Sequence, residues 1–289
     1  GAEQAVARES LARMKGPDID RTLSSLLASS ADAGLKAELI RAIAERRVGD
    51  AKPALMSMLG PPDTPAALKL KAAAALRNLV STPDVPALAK LLLSIEDETL
   101  REAVEDATAS AANSDPRIAD RSGHIAGLCA GEKNADKKAT LLRVLGKIGD
   151  DRSLAVVRAS LADPAPAVSS AACRALADWP TVAARDDVLA LASRPAGGVD
   201  PAAGVLALRA YIRMVGLEPY RAPEAAVADL EKALGLATRP EEKKLALAAL
   251  TMFPCEKGLK LASALAADPV IKAEAEAAAA KMKKALGKN

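Results

Sequence analysis

Residues 149–179 read GDDRSLAVVRASLADPAPAVSSAACRALADW. Two apolar-periodic runs flank a proline-bearing turn, and no obvious chemistry is present. Counted from Val168, apolar or small residues follow four, seven, eight and eleven positions on, at Ala172, Ala175, Leu176 and Trp179. At about 100° per residue these share one helix face, a stripe roughly 100° wide. The stretch therefore reads as a helix, a turn and a second, amphipathic helix.

The same template recurs along the chain. Leu35 leads to Leu39, Ala42 and Ile43, Leu68 to Ala72, Ala75, Leu76 and Leu79, and Leu100 to Val104, Ala107, Thr108 and Ala111. Lys137 leads to Leu141, Val144, Leu145 and Ile148, and Gly204 to Leu208, Tyr211, Ile212 and Val215. Glu242 leads to Ala246, Ala249, Leu250 and Phe253, and Ile271 to Ala275, Ala278, Ala279 and Met282. Successive starts lie 29 to 38 residues apart, centred near 34. A shorter apolar run precedes each, as in RTLSSLLAS, VPALAKLLLS and GLKLASALA. Breakers such as Gly49-Asp50, Pro83-Asp84, Asp115-Pro116, Gly149-Asp150, Pro180, Pro219 and Pro254 separate the pairs, since proline and Asp end one helix and start the next.

Fixed-period helix pairs define an α-solenoid. Tetratricopeptide repeats share the length but need large residues at fixed points, and the chain has only four aromatics: Trp179, Tyr211, Tyr220 and Phe253. Ankyrin repeats need T-P-L-H, which is missing, and armadillo repeats are longer, with three helices. SLAVVRASLADPAPAVSSAACRALADW and ALMSMLGPPDTPAALKLKAAAALRNL resemble HEAT repeats of the short bacterial, PBS-lyase type. The resemblance covers nearly the whole chain. It implies an all-α fold, a right-handed α-α superhelix (HEAT-like solenoid, armadillo-like in outline) of about eight two-helix repeats. The expected units lie near 18–49, 50–82, 83–114, 115–149, 150–180, 181–218, 219–254 and 255–289, within one solenoid domain over 1–289. Residues 2–15 read as the second helix of an incomplete first unit, and KAEAEAAAAKMKKALGKN as a cap on the array.

One family feature appears residue by residue. The position after each start is commonly Arg in the family, and here it is Lys36, Lys69, Arg101, Lys138, Lys243 and Lys272, with Ser169 and Val205 in the other two repeats. A basic residue there can lay its stem on the neighbouring repeat and reach a turn carboxylate such as Asp163 or Asp268.

Composition bounds the function. Alanine-rich, aromatic-poor sequence suits tight helix packing. Net charge is +3, from 40 basic and 37 acidic residues, which gives no strong pull toward nucleic acid or membrane. No apolar run is long enough to span a bilayer. Cys129, Cys173 and Cys255 are far apart and read as small apolar fillers. The chain begins Gly1-Ala2-Glu3-Gln4. Such a start suits a mature end left after signal removal, or simply a truncation, so an exported, periplasmic location is favoured only slightly over a cytoplasmic one.

None of the metalloprotease, phosphate-loop or nucleophile-elbow motifs occurs. His124, the single histidine, and Cys129 lie five residues apart, about 140° around a helix, and so point apart. The acidic run IEDETLREAVED (95–106), with Glu98, Glu102, Glu105 and Asp106, reads as a solvated face. No catalytic residue, metal site, cofactor or enzymatic activity is expected. The proline- and glycine-rich segment SRPAGGVDPAAG (193–204) is a candidate loop or bend.

Second helices line the concave face of such solenoids. Positions two, six and nine past each start face away from the buried stripe. They place Arg41, Arg77, Arg143, Arg174 and Arg213 inward, with Arg209 one position off this register. Arginine recognises carboxylate and phosphate through its planar fork. The expected function is a non-enzymatic scaffold or adaptor that holds a protein or peptide partner against these arginines. The alternatives are an accessory subunit or lyase-like enzyme of the HEAT-like bilin lyase type, or a nucleic-acid-binding HEAT protein. The last is disfavoured, because a glycosylase-type cleft needs aromatics and Glu102 with Asp106 would repel a long polyanion. The chain can equally serve as one part of a larger multidomain or multisubunit assembly.

Overall fold

The structure is a computed structural model. It describes residues 2–14, 16, 18–194 and 201–287. Among these, every regular element is helical and no strand occurs. The chain divides into two compact units, residues 1–153 and 154–289.

The first unit opens with α1 (Ala2–Arg13) and continues in pairs. These are α2 (Ile19–Ser29) with α3 (Ala33–Arg46), α4 (Lys52–Ser57) with α5 (Ala66–Arg77), α6 (Val85–Leu92) with α7 (Glu98–Ala112), and α8 (Gly123–Gly131) with α9 (Ala135–Ile148). Helix α10 (Asp151–Ser160) straddles the division and leads into α11 (Pro166–Ala177). The second unit then adds α12 (Arg185–Ala192) with α13 (Pro201–Gly216), α14 (Pro223–Leu236) with α15 (Pro240–Leu250), and α16 (Glu256–Leu265) with α17 (Lys272–Ala285). The fold is all-α and HEAT-like, a succession of two-helix repeats.

Within each unit the second helices form a continuous row. Helix α3 packs between α1 and α5, and α7 between α5 and α9. In the second unit α13 packs between α11 and α15, and α15 between α13 and α17. The template residues explain this row. Leu68, Ala72, Ala75 and Leu76 of α5 are buried, as are Leu100, Val104, Ala107 and Ala111 of α7. Past their starts the stripes of α9, α11, α13 and α17 are buried likewise, and Trp179, Tyr211 and Phe253, the last beyond the end of α15, are the largest fully buried side chains among the described residues. Burying a leucine removes it from water at roughly 1.5–3 kcal/mol, so each stripe is the main term holding its repeat to the next. Leu35 departs from the template, being 46% exposed at the first turn of α3.

Short polar signals start and stop the second helices. Asp32 accepts from the Leu35 amide at 2.6 Å and Asp97 from the Leu100 amide at 2.7 Å. Asn134 accepts from the amides of Asp136 and Lys137, both at 3.0 Å. Each satisfies amide groups that a helix start leaves without a partner. Helices α11 and α15 instead begin at Pro166 and Pro240, whose missing N–H is no loss there. Gly149 ends α9 at φ +72°, the left-handed conformation that glycine adopts without strain.

First helices are latched at their starts. Asp150 accepts from the Ser122 amide and hydroxyl, at 3.0 and 2.7 Å, and from the Ser153 amide at 2.8 Å. Burial pushes the Asp150 carboxyl up, but these bonds outweigh it and hold it below its ordinary value. Lys52 reaches Asp84 at 2.7 Å in the same way. Of the basic residues after the repeat starts, Lys243 makes a contact of the expected kind, bonding Asp268 at 3.0 Å.

Candidate functional site

The second-helix row of the first unit carries an open cleft between α1, α3 and α5, about 440 Å³ in volume. Its size falls in the range of roughly 300–1,000 Å³ typical of binding clefts. Ala37, Ala44, Ala74 and Ala75 line it with little bulk, and Ile40 closes the base. The polar lining is Arg8, Glu38, Arg41, Lys71 and Asn78.

Register explains why the space is open. Arg41 and Ala74 hold the same position in successive repeats, six past Leu35 and Leu68. Where α3 carries a guanidinium, α5 carries a methyl group, and the difference in bulk leaves the cleft. Glu38 and Lys71 likewise share the position three past the start.

The cleft's charges are partly fixed. Glu38 accepts from Arg8 Nε at 2.8 Å and from Arg41 Nε at 3.2 Å. The bond from Arg8, helped by Arg41, holds the Glu38 carboxyl down to about 2. Arg41 also donates from Nη1 to Glu45 at 2.7 Å. Its Nη2 is buried and donates to nothing in the protein. Across the cleft, Lys71 is exposed and has no ion pair or hydrogen bond among the described residues. The lining therefore holds three cations against one carboxylate, and that carboxylate is already engaged.

Further along the row the charges close on themselves. Glu105 of α7 is 2% exposed and accepts from Arg143 of α9 at 2.7 Å and from Lys147 at 3.3 Å. Lys147 also reaches Asp106 at 2.7 Å, which lies 3.7 Å from Arg77 of α5. Arg143 donates to the Thr140 hydroxyl at 2.9 Å. The reading of Glu105 as a solvated residue is thus corrected. Residues of α9, 38 and 42 positions on, cover it and supply two counter-charges. Glu102, one turn earlier, is exposed.

In the second unit Arg209 donates to Glu242 at 2.8 Å, and Glu242 is 2% exposed at its side chain. Arg213 donates to the carbonyls of Ala177 and Trp179, at 3.0 and 2.8 Å, completing the end of α11. Arg174 is exposed, and its side chain makes no hydrogen bond or ion pair among the described residues. Behind this row, Asp229 is held by Arg221 at 2.7 Å and Lys232 at 3.0 Å. Burial, with Asp229 beside it, pushes the Tyr211 phenol well above its ordinary value.

The structure thus places Arg41 in the cleft and puts Arg77 and Arg143 in the closed cluster. Arg8, Glu38, Lys71 and Asn78, which the sequence reading passed over, complete the cleft. The recurring third position was the signal for two of them. His124 is exposed and Cys129 buried on α8, while Cys255 accepts from the Gly258 amide at 3.4 Å to start α16. Residues 195–200 of the candidate loop 193–204 lie outside the described residues. No helix among the described residues is long and apolar enough to cross a membrane.

A second cleft, about 500 Å³, lies at the turns that join the helices of two repeats, lined by Thr64, Lys69, Leu70, Asp97 and Thr99 among others. Its Asp97 is committed to starting α7.

No family model matches the chain, and a search of curated proteins finds no match. Among solved structures, the chain is similar to the complex of CpcE and CpcF of phycocyanin lyase from Nostoc sp. PCC7120. The identity is 20%, covering 87% of this chain and 95% of that one, at a TM-score of 0.40. It is also similar to human deoxyhypusine hydroxylase in complex with glycerol, at 15% identity over 96% of this chain and 89% of that one, with a TM-score of 0.32. The expectation of a chain without enzymatic activity is corrected here. Both neighbours bear the names of enzymes, a lyase and a hydroxylase. Missing linear motifs do not exclude chemistry, because a repeat fold brings side chains more than 30 residues apart into contact, as with Arg209 and Glu242.

Proposed function

We propose that the chain holds a protein partner against the second-helix row of its first unit. The observation that carries this reading is the cleft between α1, α3 and α5, with its alanine floor, its unengaged Lys71 and the buried, unpartnered Nη2 of Arg41. Small side chains on a rigid helix row let another backbone approach closely, and the polar rim gives direction to what enters. The test is photo-crosslinking in cells that express the chain. A benzoylphenylalanine at Ala74 captures one discrete protein, and the same probe at Lys90 on α6 captures none. The reverse pattern, with capture from the first-helix side alone, sinks the proposal.

The bilin-lyase reading rests on the PBS-lyase-type repeats of the sequence and adds chemistry on the partner to the holding role. A linear tetrapyrrole supplied to the captured complex then becomes covalently attached to the partner. An intact complex that attaches none removes this second reading and leaves the first standing.

A further inference from the structure

We infer that the cleft between α1, α3 and α5 recognises a carboxylate on a short acidic segment of the partner, taken between Arg41 and Lys71. The inference rests on the protein-holding role proposed above and adds the chemistry of the occupant.

Three features carry it. The first is the donor left over. Arg41, which lines the cleft, spends Nε on Glu38 and Nη1 on Glu45, while its Nη2 is buried without an acceptor in the protein. A buried donor without a partner is unfavourable, and an Arg41 side chain that turns toward an incoming carboxylate relieves it. The second is the balance of charge. Glu38 is the only carboxylate in the lining and is already clamped by Arg8 and Arg41, so it repels an incoming anion less than an unpaired acid would. Lys71, on the opposite wall, has no competing anion. The third is the extent of the positive surface. It begins at Arg8 on α1 and ends at Lys71 on α5, because α7 next presents the exposed Glu102 and the acids of the closed cluster. Two interhelical steps of about 8–10 Å span about 20 Å. That length suits one or two acidic side chains on a peptide. A nucleic acid, charged along its whole length, would run onto Glu102.

The experiment is to pan a random twelve-residue peptide display library on the full chain and on Lys71→Glu. Selected peptides are then titrated by fluorescence anisotropy beside their Gln/Asn counterparts and a single-stranded oligonucleotide. Lys71 is exposed, so its replacement leaves folding intact, which circular dichroism verifies. Peptides rich in Asp and Glu are selected on the original chain and lost on Lys71→Glu. They bind at least tenfold more weakly when neutralised, and Lys90→Glu on α6 leaves binding unchanged. A carboxylate at a side chain is separated from one at the C-terminus by amidating the peptide end. Selection without charge preference, equal selection on Lys71→Glu, no selection at all, or tighter binding of the oligonucleotide each overturns the inference. Capture at Ala74 combined with any of these results leaves the protein-holding role standing and removes the carboxylate alone. Failure of both experiments removes both.

Discussion

Two neighbouring stretches of one helix row handle charge in opposite ways. From α1 to α5 the arginines meet half-exposed acids of α3, and a guanidinium nitrogen and a lysine remain unengaged around an open cleft. From α5 to α9 a buried acid, Glu105, draws Arg143 and Lys147 into a closed cluster with Asp106 and Arg77. The helices and the repeat are the same. What differs is whether the neighbouring repeat offers a buried carboxylate at the contact. A carboxylate placed inside turns a surface arginine into part of the joint, and an alanine at the matching place leaves it available to something else.

That contrast can be broken at several points. The largest effect is expected at the helix both stretches share. Leu76 of α5 is fully buried, and Leu76→Ala lowers the free energy of the first urea transition by about 3 kcal/mol. A loss under about 1 kcal/mol would mean that α5 is not gripped between α3 and α7. Next, Glu105→Ala strips the closed cluster of its centre. Removing one member of a buried pair is unfavourable by about 3–5 kcal/mol when the other charge stays dry. Arg143 and Lys147 keep about a third of their surface in water, so a loss of about 2 kcal/mol is expected. The loss persists in high salt, since the carboxylate is buried. Equal stability of Glu105→Ala and the original would show the cluster to be decorative.

A smaller effect sharpens the open stretch. Arg46 of α3 donates to the carbonyls of Leu11, Ala12 and Met14 and to Asp20, closing the end of α1. Arg46→Ala removes about 1–2 kcal/mol and frays α1, which limited proteolysis near Met14 reports as faster cleavage. Unchanged cleavage would mean that α1, and with it Arg8, is held by other means. The smallest effect is the titration of Glu38. Its folded carboxyl is held down to about 2 by Arg8 and Arg41, below the unfolded value of about 4.3. The sign follows: the clamp contributes fully above about 4.3 and is lost as pH falls toward 2. Carboxyl carbon shifts followed by NMR give a midpoint near 2. A midpoint near 4.3 would mean that the Arg8 wall of the cleft is open in solution.

The helix pairs were legible in the sequence because the stripes that make them are local. Ala72, Ala75 and Leu76, or Val104, Ala107 and Ala111, need only a period of about 3.6 to be recognised. The register on which Arg41 lies was legible in the sequence, and the structure places that residue in the cleft. The partners were not. Glu105 looks like any acid in an acidic run until Arg143, 38 residues later, is folded over it. Arg213 looks like a groove residue until the carbonyls at the end of α11 are seen to need a donor. Arg8 and Lys71 line an open cleft because α5 carries only a methyl group at Ala74, and no local pattern marks such a difference in bulk. The absence of enzymatic activity was read from missing motifs, an argument that a repeat fold weakens, since its sites need no contiguous signature.

The way the second helices end also gives the chain a direction in time. Arg46 of α3 completes α1, Ser110 of α7 donates to the Arg77 carbonyl at the end of α5 at 2.8 Å, and Arg213 of α13 completes α11. In each case the finishing group comes from the repeat made later. Helix α9 runs the other way, its Lys147 carbonyl served by Asn113 of α7 at 3.3 Å. On the ribosome, then, α1, α5 and α11 emerge with open ends that wait about thirty residues, a few seconds of synthesis at typical rates, for the side chain that seals them. Helix α9 emerges after its donor, as does α7, whose Ala111 carbonyl accepts from the Thr82 hydroxyl at 3.4 Å, so both of these ends can seal as they form.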